Sequence, residues 1–134
     1  MKIYLKNISK RYHHHWIFKK ISYVFEDGGA YVILGANGSG KSTLLRIIGG
    51  MQGFNAGELS YSLNDSSTLP PEKIFEQISY CAPGMDLIEE LSLSEFLRFH
   101  FSFKKIIPGY GINQIMDAMQ LSAASNKLIR DFSS

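Results

Sequence analysis

The sequence holds a single cysteine, Cys81, in 134 residues. An internal disulfide is therefore excluded, and a reducing compartment is expected. Charge of one sign is scarce too. Lys and Arg number 14 against 12 Asp and Glu, and the net charge of +2 is too small to argue for a nucleic-acid partner by itself. No apolar run approaches the length of a membrane span. The opening residues, MKIYLKNISKRY, are interrupted by charges and hold no apolar signal core. Any link to a membrane must then go through a partner. There is no internal repeat, low-complexity tract or clear linker. Hydrophobic residues at 45% and charged residues at 19% exclude a disordered chain and fit one folded domain with one core.

What is present reads as an α/β chain. "KIYLKNISKRY" (Lys2 to Tyr12) alternates apolar and polar residues, as a half-buried strand does. "WIFKKISYVFED" (Trp16 to Asp27) does the same, with His13-His14-His15 as a hairpin loop between them. "AYVILG" (Ala30 to Gly35) is apolar at nearly every position, which predicts a strand covered on both faces, as in a parallel sheet. Lys41 to Ile48 reads as a helix ended by Gly49-Gly50. "GELSYSL" (Gly57 to Leu63) predicts another exposed strand, and Asn64 to Pro71 a loop. Glu72 to Gln77 reads as a short helix before "ISYCA" (Ile78 to Ala82), a second buried strand in which Cys81 is a small buried residue. Ser92 and Glu95 form a capping-box pattern that opens the helix "LSEFLRFHFSF". Within it, His100 reads as a helix-surface residue beside core aromatics Phe96, Phe99, Phe101 and Phe103. Gly111 to Leu121 places Ile112, Ile115, Met116 and Met119 on one helical face.

The chemistry sits in Gly35-Ala36-Asn37-Gly38-Ser39-Gly40-Lys41-Ser42, which fits the pattern G-x-x-x-x-G-K-[ST] of a phosphate loop. Each part has a physical task. Glycines let the backbone turn so that its N–H groups point inward at phosphate oxygens. The helix opening at Lys41 adds the positive end of its dipole. Lys41 reaches the β- and γ-phosphates, and the Ser42 hydroxyl ligates Mg²⁺. The pattern stands in the required order of strand, loop and helix. The competing reading is a glycine-rich turn with a solvent-facing lysine, which would not need the full pattern. The dinucleotide motif G-x-G-x-x-G is not present.

The wording GANGSGKSTLLRIIGG resembles the ATP-binding cassette (ABC) ATPases. The strand pair before the loop and "GELSYSL" after its helix agree with that resemblance. It implies a P-loop NTPase of ABC type, with an antiparallel β-subdomain and a partial parallel core sheet over residues 1–84. Residues 85–134 are then the start of a helical subdomain. The resemblance further implies that ATP and Mg²⁺ are held by Gly35, Asn37, Gly38, Ser39, Gly40, Lys41, Ser42 and Thr43, with adenine stacked on Tyr12 and Trp16 as the second choice. It implies an ATPase subunit that pairs head to tail as a homodimer or pseudo-dimer. That subunit serves a transmembrane transporter partner from the inner, cytoplasmic face of the membrane. The loop from Pro83 to Leu91 and the helix after it would face that partner. No nucleic-acid partner is expected. A soluble ABC ATPase of translation or DNA repair is an alternative, and so is a small-molecule P-loop kinase. A kinase would need an arginine-rich lid, whereas only Arg98 and Arg130 follow Arg46.

The chain departs from the family at two places. Pro83 or Gly84 stands where the family has a glutamine that touches Mg²⁺ and the attacking water. Asp86, Glu89 or Glu90 would be needed as an oxygen ligand there, or they form a solvated acidic loop. Phe132, Ser133 and Ser134 resemble the opening of the family signature. No run of about four aliphatic residues leads into an aspartate and a catalytic glutamate, as the Walker B strand requires. The 134 residues are therefore expected to be an N-terminal part of a longer subunit, to bind nucleotide and to turn it over barely above background. The adjacent His13, His14 and His15 cannot all face one ion, so no metal is expected there.

Overall fold

A computed structural model describes residues 1–64, 67–104 and 106–132. Two compact units divide the chain, Met1–Ser79 and Tyr80–Ser134. No helix among the described residues is long and apolar enough to cross a membrane.

The first unit is built on an antiparallel sheet. Strand β1 runs Lys2–Tyr12, β2 His15–Phe25, β3 Ala56–Asn64 and β4 Ser67–Leu69, in the spatial order β2-β1-β3-β4. The β1–β2 hairpin turns at His13-His14 and sets Tyr12 opposite His15 and Ile3 opposite Phe25. Strict alternation along β1 would bury Leu5 and expose Ile8, yet both are buried. A register shift between Leu5 and Ile8 resolves this: Asn7 takes φ +53° and its N–H donates to Ser22 Oγ at 2.9 Å. One residue out of step returns the next apolar side chain to the core face.

Helix α1, Lys41–Ile48, lies on that face. Ile47 and Ile48 pack with Leu5 and Ile8, and Phe18, Ile21, Phe25, Ile33 and Leu44 surround them. Burial of each aliphatic side chain contributes about 1.5–3 kcal/mol. The helix ends at Gly49, whose N–H donates to Leu45 O at 2.9 Å. Tyr61 of β3 donates its hydroxyl to Ile48 O at 2.9 Å, so the strand also satisfies a helix-end carbonyl. Burial pushes the Tyr61 phenol up to about 12. A second cluster joins Tyr61 and Leu69 to Ile74 in a 3₁₀ turn, Pro71–Glu76.

Three expectations are corrected in this unit and just beyond it. Ala30 to Gly35 carries no strand ladder among the described residues, and Val32 and Leu34 are 80% and 86% exposed. Ile78 to Ala82 is likewise not a strand, and Cys81 is exposed rather than buried. A parallel strand needs paired neighbours and a layer on each face, and the described strands pair only antiparallel, elsewhere. Ser67–Leu69, inside the expected loop, instead adds β4 to the sheet edge.

In the second unit, helix α2 runs Leu93–Ser102 and α3 Ile112–Ala118. Ser92 accepts from Glu95 N and Ser92 N donates to Glu95 Oε2 at 2.9 Å, which completes the expected capping box. Two further N–H groups of that helix start, on Leu93 and Ser94, donate to Lys127 O and Ser125 O. Leu93, Leu97 and Met116 form the core, with Phe96, Phe101, Ile112, Leu121 and Phe132 against it. Phe99 and Phe103 are not in that core. They meet edge to face at 5.3 Å on the surface, and Met119 is exposed as well. His100 stacks on Phe96, half-buried as expected of a helix-surface position.

Candidate nucleotide site

The phosphate-loop residues turn between the end of the extended 30–35 segment and the start of α1. Gly40 is the N-cap of α1 at φ +95° and offers no side-chain cap. The first N–H groups of a helix have no partner inside it, so this start presents free donors and the positive end of a dipole. No acidic residue occupies the first turn to neutralise it. Only glycine fits at Gly40: the φ value is strained for other residues, and a Cβ there would run into the Ile17 side chain of β2. Gly38, at φ +80°, has open space where a Cβ would stand, so the loop backbone is bare on that side. Lys41 turns back over the loop and donates from Nζ to Gly35 O at 2.9 Å and Ala36 O at 2.8 Å.

A cleft of about 410 Å³ opens here, lined by Tyr12, Ile17, Asn37, Gly38, Gly40, Lys41, Ser42 and Thr43. Gly35 and Ser39 complete the loop behind it; a Cβ on Gly35 would meet Ser39 Oγ at 2.6 Å. Tyr12, 40 residues before Gln52 in the chain, thus shares one cleft with the loop. The sequence offered two aromatics for this place, and the surroundings separate them. Trp16 lies between two cations, with Arg11 Cζ 5.5 Å and Lys19 Nζ 4.8 Å from its ring. Tyr12 is 45% exposed and carries one cation, Lys10 Nζ, at 5.0 Å. The Gln52 side chain donates to the Tyr12 hydroxyl. That bond first, and the Thr43 hydroxyl nearby, hold the phenol below its usual range. Sequence reading did not find Ile17 or Gln52, since neither belongs to a motif and both arrive through the fold.

A larger hollow of about 540 Å³ lies on the other flank of α1, lined by Phe25, Tyr31, Val32, Ile33, Lys41, Ser42, Leu45 and Ile48. Its lining is mostly hydrocarbon, which suits a protein segment and not a phosphate chain. The polar cleft at Tyr12 is therefore the candidate site.

In the second unit, Pro83 and Gly84 form a turn, and Asp86 and Glu89 line a separate cleft with Leu93, Leu121, Arg130 and Phe132. Glu90 is exposed beside it. Phe132 packs in the helical core under Lys127, whose Nζ is 4.8 Å from the ring. Ser133 and Ser134 lie outside the described residues.

An antiparallel sheet carrying a phosphate loop on the helix packed against it defines the class as a P-loop nucleotide-binding fold of ABC type. The family model for the ABC transporter matches residues 18–134, and the chain belongs to that family. Among curated relatives, a spermidine/putrescine import ATP-binding protein of Thermotoga maritima is 26% identical over 127 residues, covering 92% of this chain and 34% of that protein. A phosphonates import ATP-binding protein of Fusobacterium nucleatum is 30% identical over 106 residues, covering 77% of this chain and 43% of that protein. The solved ATP-binding subunit of an ABC transporter superposes with a TM-score of 0.77 at 24% identity, over 99% of this chain and 56% of that one. A dimeric bacterial ABC transporter cassette gives 0.74 at 25% identity, over 98% and 63%. The chain thus spans about a third to two fifths of the length of those curated relatives.

Proposed function

We propose that this chain binds Mg·ATP in the Tyr12 cleft as part of the ATP-binding subunit of an ABC transporter. One observation carries the reading. The cleft unites an aromatic ring, an uncapped helix start and a lysine already turned over the loop. Adenine stacks on the exposed Tyr12 ring. The triphosphate lies along Asn37 to Thr43, where loop and helix N–H groups hold its oxygens. Lys41 would exchange its two loop carbonyls for β- and γ-phosphate oxygens, and Ser42 Oγ would hold Mg²⁺. The metal supplies charge neutralisation on the phosphates as they are transferred.

Hydrolysis is proposed for the protein as a whole, between two copies of the nucleotide-binding domain set head to tail. Residues 1–134 contain no aliphatic run leading into a Walker B aspartate and catalytic glutamate, so their own share is binding. The dimeric cassette and the import ATP-binding proteins it resembles support a pairing subunit that serves a membrane partner from the cytoplasmic face. In this reading the first unit is the β-subdomain with the phosphate-loop core, and the second opens the helical subdomain. The loop after Pro83 faces the partner. It works without the family's glutamine.

Lys41→Ala tests the reading. Loss of a charge-assisted contact to phosphate should weaken ATP binding about tenfold or more, or about 1.4 kcal/mol. Isothermal titration of both proteins measures it, and superimposable curves would remove the phosphate loop from the site.

A further inference from the structure

The hydroxyl of Tyr12 is not idle at the cleft mouth. Gln52 stands just past the C-terminal end of α1, in the turn that leads toward β3. Its Nε2 reaches across to donate to the Tyr12 hydroxyl, and Thr43, in the first turn of α1, lines the same cleft. The ring at the end of β1 is therefore held at its tip from the C-terminal end of the phosphate helix. Without such restraint an aromatic side chain on a hairpin end, 45% exposed, would be free to swing about χ1. Ordering it on binding would then cost affinity.

We infer that Gln52 is a positioning residue for base recognition. It orients the Tyr12 ring as a pre-set platform and couples adenine stacking to the helix that holds the phosphates. The inference rests on the proposed Mg·ATP reading of this cleft. Its chemistry is specific. Gln52 meets the ring at its hydroxyl and is not among the residues lining the cleft, so it acts on ligands that carry a base and has no hold on the phosphate chain. The bond uses the phenol oxygen, so removing either partner has the same effect as removing both. Asparagine, one methylene shorter, does not span the same gap.

The experiment titrates the full chain with Mg·ATP and, separately, with inorganic tripolyphosphate. The variants are Gln52→Ala, Gln52→Asn, Tyr12→Phe, the double variant Gln52→Ala with Tyr12→Phe, and Tyr12→Ala. The expected result is a roughly three- to tenfold loss of ATP affinity for Gln52→Ala, Gln52→Asn and Tyr12→Phe, the scale of one net hydrogen bond. The double variant should match the single ones, and tripolyphosphate binding should be unchanged in all. Tyr12→Phe removes one oxygen and keeps the ring, so it keeps the test valid if a change at Gln52 unfolds the chain. Unchanged ATP affinity in Gln52→Ala and Tyr12→Phe, beside a clear loss in Tyr12→Ala, would overturn the role of Gln52 and leave the Tyr12 site standing. An equal loss for ATP and tripolyphosphate would mean that the bond merely holds the fold. No loss even in Tyr12→Ala would overturn the adenine platform, and the role of Gln52 with it.

Discussion

At the scale of single residues, chemistry in this protein depends on what surrounds each side chain more than on its type. Tyr12 and Trp16 are both exposed aromatics of one hairpin. Trp16 is engaged with Arg11 and Lys19, while Tyr12 lies in the cleft with Lys41 and Ser42. Base stacking on an aromatic is worth about 1–3 kcal/mol in comparable settings. Tyr12→Ala should therefore weaken ATP binding by about five- to 150-fold, and Tyr12→Trp, which keeps a stacking ring but lacks the hydroxyl that Gln52 holds, should weaken it no more than Tyr12→Phe. Trp16→Ala should change it little. Fluorescence titration of the three variants decides, and a larger effect at Trp16 than at Tyr12 would exchange their roles. His13, His14 and His15 lie at and beside the hairpin turn, where the reversal of the chain explains their place.

At the scale of elements, helix starts show how the same problem is solved in two ways. Helix α2 opens with its own cap: Ser92 and Glu95 bond reciprocally, and Leu93 and Ser94 find carbonyls at 125–127. Helix α1 opens on Gly40 with no side-chain cap. The capped start stabilises the fold, and the bare one is available to an anion. Ser92→Ala should cost about 1 kcal/mol of stability. The cost also depends on pH. The Ser92 hydroxyl and N–H hold the Glu95 carboxyl below its usual range. The contribution is therefore present above the ordinary carboxylate pKa and fades as pH falls through the depressed one. The gap between wild type and Ser92→Ala in denaturant unfolding should narrow from neutral pH to acid. A constant gap would show that Glu95 takes no part in the cap.

At the scale of the whole chain, the segment Ala30 to Gly35 departs most from expectation. It is as apolar as a buried strand, yet Val32 and Leu34 stand in solvent and the hollow beside α1 is lined with hydrocarbon. Exposed apolar surface next to an unladdered backbone favours association with another chain. The chain should self-associate as its concentration rises. Val32→Lys should raise the concentration at which dimers appear by about tenfold, the worth of one buried aliphatic side chain. Sedimentation velocity on both proteins measures the shift. A wild type that stays monomeric throughout would mean that this face is satisfied in some other way.

The phosphate loop, the β1–β2 hairpin, helix α1 and the capping box were all legible in the sequence. Each is set by neighbours within a few residues: a glycine where the backbone must turn left-handed, a serine three residues before a glutamate, an alternation of period two. The remaining features depended on the tertiary structure. Only the fold shows that Asn7 shifts β1 by one residue to bury Ile8, and that Ser67–Leu69 adds to the sheet edge. Only the fold places Tyr12 in the loop cleft and Trp16 between two cations, brings Gln52 to the Tyr12 hydroxyl and leaves Cys81 exposed. The physical reason is common to all of these. Register and pairing are decided by contacts between residues distant in the chain, and an apolar hexapeptide becomes a strand only where another backbone meets its hydrogen bonds.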